Sequence, residues 1–170
     1  MDKKILIVVD MQNGFARYDQ TRQMAKKIVE LTNSGRFDYI IATRFVNKEG
    51  SPYTDILGWH KLMNSPETDL VEGLNADMVV DKVIYTCVDE GFMDKLKNIN
   101  GGTTPNTVYV CGVDTECCVL KIATDLFEHA IKPVVLLNYC ASNGGDKGHN
   151  AGIEAMKRLI GKQCLEYEFY

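Results

Sequence analysis

Asp10, Lys82 and Cys118 each stand at or just past the carboxyl end of a short apolar run. Asp10 follows Ile5-Leu6-Ile7-Val8-Val9, Lys82 follows Met78-Val79-Val80-Asp81, and Cys118 lies shortly after Val108-Tyr109-Val110-Cys111-Gly112-Val113. In an open parallel α/β sheet, ligands bind in the crevice outside the carboxyl ends of the strands. An acid, a cation and a thiol delivered to that crevice make a cysteine-nucleophile site: the thiol needs a proton acceptor and the thiolate a positive neighbour. Asp114 or Thr115 can cap the helical pattern that follows, which puts Cys118 near a helix start. The unpaired amides and positive dipole end there favour a thiolate and can hold an oxyanion. Cys117 cannot share that crevice, since two consecutive helical residues point in different directions.

The elements that must position these groups alternate along the chain. Strands are expected over residues 4–9, 39–42 and 78–82, then in runs ending at Gly112-Val113 and spanning Pro133 to Leu137, with a short sixth strand within Gln163–Glu166. Helical periodicity is read over residues 20–33, around Phe92, Leu96 and Ile99, from Thr115 to Ala130, and from Asn150 to Leu159. A polar stretch from Thr43 to about Asp69, carrying Gly50, Pro52, Gly58 and Pro66, reads as a long functional loop. This alternation predicts an α/β chain, a three-layer α/β/α sandwich around a parallel, Rossmann-like sheet of five to six strands. With 170 residues, the chain suits one domain over residues 1–170.

A net charge of −4 argues against a nucleic-acid partner, since phosphate binding wants a basic face. No apolar stretch approaches the ~20 residues that cross a bilayer, and the amino terminus is too short in apolar residues for a signal core. The six cysteines mostly lie in apolar runs, where free cysteine behaves as a small buried hydrophobe, so a reduced, cytoplasmic protein is expected. Trp59 and Phe15 are candidates for the walls of a substrate pocket. His129 reads as a cation at a helix end, and His149 as a structural or capping residue ahead of the last helix.

Several blocks resemble one family. Leu6-Ile7-Val8-Val9-Asp10-Met11-Gln12-Asn13-Gly14-Phe15 is similar to the opening "φφφ-D-M-Q-N-D-F" block (φ apolar) of the isochorismatase-like cysteine hydrolases. Gly112-Val113-Asp114-Thr115-Glu116-Cys117-Cys118-Val119 resembles their "G-V-x-T-D-x-C-V" nucleophile block, in a register that selects Cys118. Val80-Asp81-Lys82-Val83-Ile84-Tyr85-Thr86-Cys87-Val88 approximates the block that carries their lysine, and Cys140-Ala141-Ser142 with His149 matches their late region. The resemblance implies a triad of Asp10, Lys82 and Cys118, a cis peptide before Asp114, and an oxyanion site on the backbone amides of Asp114 and Cys118.

The departures from the family pattern also carry implications. Nicotinamidases of the family hold a metal through an Asp-x-His pair and a further His after the second strand, where this chain has Thr43-Arg44-Phe45-Val46-Asn47 and His60 is the loop's one imidazole. One histidine does not make a site. The expectation is therefore a metal-independent hydrolase without cofactor, cleaving the C–N bond of a small amide or carbamoyl compound through a thioester. By resemblance it is also expected to form a homo-oligomer. The rival readings are a flavodoxin-like ligand-binding module, a redox-active thiol protein using Cys117 and Cys118, and a catalytically silent family member. The first lacks a phosphate-cradling glycine loop, and the second has no C-x-x-C motif.

Overall fold

Ile5-Leu6-Ile7-Val8-Val9 has no polar residue on either face, a pattern suited to a strand covered on both sides. In the computed structural model, which describes residues 2–169, this run forms β1 (Ile5–Val9), fully buried along its length. Five further strands join it: β2 (Tyr39–Phe45), β3 (Met78–Lys82), β4 (Thr107–Gly112), β5 (Lys132–Cys140) and β6 (Leu165–Glu166). All pairs are parallel, in the order β3-β2-β1-β4-β5-β6. The helices α1 (Asp19–Thr32), α3 (Glu90–Ile99), α4 (Leu120–Glu128) and α5 (Gly145–Leu159), with the single-turn α2 (Pro52–Asp55), complete a three-layer α/β/α sandwich.

The chain runs from β1 outward to β3, then returns to place β4 on the other side of β1. The order therefore reverses between β1 and β4, which is where an open α/β sheet leaves its ligand crevice. Gly112 closes that seam. Its φ is +125°, and a Cβ there would lie 2.2 Å from the carbonyl oxygen of Val9. Only glycine lets the two strand ends come this close.

Three elements extend beyond their sequence signals. β2 runs on through Thr43, Arg44 and Phe45, which read as the start of a loop, because these residues pair with Val80, Asp81 and Lys82 of β3. Ladder pairing and an Arg44–Asp81 ion pair at 2.6 Å overrode the polar composition. β5 continues past Leu137 to Cys140. α5 begins at Gly145 instead of Asn150, although glycine is a poor helix former. Packing compensates: a Cβ at Gly152 would fall 2.8 Å from the Glu116 backbone, and one at Gly148 2.3 Å from its carboxylate.

Candidate active site

Asp10 is the first residue past β1 and is wholly buried. Its φ of +50° is a left-handed conformation that aspartate tolerates better than most residues. Thr43, equally buried, holds it from β2. The Asp10 amide donates to Thr43 Oγ1 at 3.1 Å, and that hydroxyl donates in turn to Asp10 Oδ1 at 2.6 Å. Oδ1 is thereby committed, and Oδ2 is left facing the site. Gln12 fixes the neighbouring strand end, bonding the amide and carbonyl of Phe45 at 2.8 and 2.9 Å. Neither Thr43 nor Gln12 stood out in the sequence as a site residue, though Gln12 belongs to the opening block.

Lys82 ends β3 and is almost completely buried. Its Nζ lies 2.8 Å from Asp10 Oδ2, donates to the carbonyl of Ile84 at 3.1 Å and to Cys118 Sγ at 3.4 Å. The ammonium also stands 5.0 Å from the centre of the Phe45 ring, a favourable cation–π placement. Burial alone would favour loss of the lysine proton, but the Asp10 carboxylate and the Cys118 sulfur together hold its pKa above the ordinary value.

Cys118 belongs to a wide turn, Thr115–Val119, that leads into α4. There the Val119 amide reaches back to the carbonyl of Asp114 at 3.3 Å, a five-residue span of the kind that often marks functional positions. Asp114 stands at the cap position, but neither it nor Thr115 caps the turn with its side chain as the sequence suggested. Asp114 Oδ1 accepts from the amide and side chain of Asn143, both at 2.8 Å, and burial pushes its carboxyl up to about 6. Thr115 Oγ1 instead donates to the carbonyl of Ala141 at 3.1 Å and meets His149 Nδ1 at 2.7 Å. His149 thus lies within α5, not before it, and braces the turn. Ser142 Oγ donates to Glu116 Oε1 at 2.5 Å. The peptide between Val113 and Asp114 is cis, and among the described residues the Asp114 amide enters no backbone hydrogen bond. His129, which closes α4, shares its ring Nδ1 with the carbonyl of Asp125 at 2.9 Å, away from the site.

The electrostatics revise one expectation. Burial first, and then the Asp10 carboxylate, push the Cys118 thiol well above its ordinary pKa, against the opposing pull of Lys82. Desolvation outweighs the pull of Lys82, which favours the neutral thiol. Asp10 Oδ2 is sealed from solvent, with Lys82 Nζ at 2.8 Å and the Cys118 thiol in side-chain contact with the carboxylate.

A cavity of about 310 Å³ opens on Cys118, walled by Phe15, Phe45, Tyr53, Leu57, Trp59 and Tyr85. Phe15 and Trp59 stack at 6.1 Å between ring centres, so both pocket candidates do line it. Trp59 is anchored through its backbone: its amide donates to the carbonyl of Tyr53 at 2.8 Å, and its carbonyl accepts from Asn47 Nδ2 at 3.0 Å. Cys117 also borders the cavity, a position the sequence argument denied it, and its thiol is pushed up to about 11 by burial.

The stretch where nicotinamidases place metal ligands is occupied differently. Phe45 offers no donor atom and joins Tyr53 and Leu62 in a small apolar cluster. Asn47 is consumed as a staple, its Oδ1 accepting from the Lys48 amide at 2.9 Å and Ser51 Oγ at 2.7 Å. His60 is exposed and faces Glu49 at 3.5 Å. Among the described residues no group of three or more His, Cys, Asp or Glu side chains could hold a metal ion. The donor set does not fit a family-type metal.

The isochorismatase domain model matches residues 4–166. No curated protein matches the chain. Among solved structures, a zinc-bound pyrazinamidase of Pyrococcus horikoshii superposes with a TM-score of 0.80 at 22% identity, over 99% of each chain. A nicotinamidase/pyrazinamidase of Bacillus subtilis gives 0.76 at 21%, over 96% of this chain and 99% of that one. An isochorismatase-like hydrolase of Alkaliphilus metalliredigens gives 0.74 at 19%, over 93% and 92%. These likenesses share the fold, and the domain match, spanning both Asp10 and Cys118, places the chain in the isochorismatase family of hydrolases.

Proposed function

We propose that this chain is a metal-independent cysteine hydrolase that cleaves the C–N bond of a small amide or carbamoyl compound. One observation carries the reading: Asp10 and Lys82 converge on Cys118, which borders the aromatic cavity, with Lys82 Nζ 2.8 Å from the carboxylate and 3.4 Å from the sulfur. Cys118 Sγ attacks the carbonyl carbon while its proton passes to Asp10 Oδ2, so no free thiolate has to persist in the buried site. The tetrahedral oxyanion rests on the amides of Asp114 and Cys118. Collapse breaks the C–N bond, Asp10 returns the proton to the departing nitrogen, and ammonia or an amine leaves an acyl thioester. Water, deprotonated by Asp10, then attacks the thioester and releases the acid and the thiol. Lys82 stays protonated throughout and holds Asp10 oriented.

Among the described residues, no lysine or arginine lines the cavity to meet a carboxylate, which favours uncharged substrates over ureido acids. A screen for ammonia release over small amides and carbamoyl compounds tests the proposal, with Cys118→Ala as the blank. Turnover that vanishes in Cys118→Ala and survives exhaustive chelation is expected. Turnover retained by Cys118→Ala, or lost on chelation and restored by zinc, iron or manganese, overturns the mechanism.

A further inference from the structure

Tyr53 carries a phenol that the fold itself does not use. The residue is only 7% exposed and lines the cavity, yet among the described residues none hydrogen-bonds its hydroxyl. That oxygen keeps some accessible surface, and the residue borders the cavity. A phenylalanine would fill the same space, so the hydroxyl is the polar group that tyrosine adds to this part of the wall.

The side chain is held rigidly. Ser51 caps α2 by accepting from the Thr54 amide at 3.3 Å, Pro52 begins the turn, and Asn47 ties Ser51 to the end of β2 at 2.7 Å. The Tyr53 ring meets Phe45 edge-on at 4.9 Å and Tyr85 at 5.2 Å. It lies within electrostatic reach of Cys118, Lys82 and Asp10, and burial pushes its pKa up to about 12. Near neutral pH it is a fixed, uncharged donor beside the nucleophile.

We propose that Tyr53 is a specificity-determining residue whose hydroxyl donates to a neutral acceptor atom on the substrate, away from the scissile amide. The substrates selected are small flat amides with a second acceptor, such as a ring nitrogen or another carbonyl. This rests on the amide-hydrolase reading. A single neutral phenol suits such an acceptor better than a carboxylate, whose desolvation it could not offset.

The chain's one tryptophan, Trp59, lines the same cavity and reports binding by its fluorescence. Cys118→Ala removes turnover, so affinities can be read at equilibrium. The probes are benzamide and the three pyridine carboxamides, which share one shape and differ by a ring nitrogen. At least one pyridine isomer should bind ~3- to 10-fold more tightly than benzamide, the worth of one net hydrogen bond. Adding Tyr53→Phe should erase that advantage and leave benzamide binding within about 2-fold. An advantage that survives Tyr53→Phe, or no advantage for any isomer while benzamide binds, overturns the role of Tyr53 alone. Loss of benzamide affinity in Tyr53→Phe makes the residue structural and also overturns it. If no amide perturbs Trp59, the amide reading itself falls, and the proposal with it.

Discussion

Replacing Lys82 by methionine removes a cation 2.8 Å from a carboxylate that has no solvent contact. Methionine fills the space of the lysine stem, so the perturbation is mainly electrostatic. Breaking a buried pair by deleting one partner costs about 3–5 kcal/mol, because the surviving charge is stranded. The chain can relieve that cost by binding a proton at Asp10.

The sign of the pH dependence follows. A carboxyl whose folded pKa lies above its unfolded value binds more protons folded than unfolded between the two. Stability then falls as pH rises through that window. Urea unfolding of Lys82→Met should give stability near wild type at pH 4 and a deficit growing to about 3–5 kcal/mol by pH 7. The double variant Asp10→Asn/Lys82→Met has no charge to strand. It should lose the slope and be more stable at pH 7 than Lys82→Met alone. Stability of Lys82→Met running parallel to wild type across pH 4–8 would mean that the two groups are not a buried ion pair. Turnover of Lys82→Met at pH 7 should fall well below wild type in the ammonia-release assay.

Further outcomes follow from the same geometry. Alkylation of Cys118 by iodoacetamide should keep accelerating beyond pH 9, since the thiol is held well above its ordinary range; a plateau near pH 7 by peptide mapping would show a resting thiolate. Cys117→Ala should keep folding and turnover, and Cys118→Ala only folding, in circular dichroism and ammonia-release assays. Thr43→Val removes the hydroxyl that fixes Asp10 and should cut kcat by ~10-fold or more with KM little changed, while Thr43→Ser, which keeps the hydroxyl, should restore most of it. Gly112→Ala must place a methyl 2.2 Å from the Val9 carbonyl oxygen at a φ of +125°. It should cost about 3 kcal/mol or more in chemical unfolding.

The parts of the site legible in the sequence were those announced by local patterns. Asp10, Lys82 and the turn before Cys118 follow runs of β-branched residues, and the strand-end rule for parallel sheets brings such positions to one edge. Thr43 and Tyr53 had no comparable signal. Thr43 meets Asp10 because the parallel register sets Val8 against Ala42, and a polar residue near a strand end gives no hint of its partner across the sheet. Tyr53 lies in a stretch whose glycines and prolines read only as loop, yet the Asn47–Ser51 staple makes that loop a rigid wall. The span of α5 was hidden for a similar reason: Gly145 and Gly148 argue against helix locally, and the contact with Glu116 that favours them comes from a segment some thirty residues earlier.

The protonation state of Cys118 was the least accessible property, because it depends on depth and not on composition. A helix start and a lysine beside a cysteine read as a recipe for a thiolate when each influence is weighed in water. Within this sheet the lysine charge is already matched by Asp10 at 2.8 Å, so the sulfur sees an ion pair more than a free cation. Desolvation, which acts on the thiolate with no such compensation, then decides. A buried Asp–Lys–Cys constellation of this kind does not prepare a thiolate in advance. In the mechanism proposed above it prepares an acceptor, and the sulfur ionises as its proton leaves for Asp10, when a substrate carbonyl is present to take the electron pair.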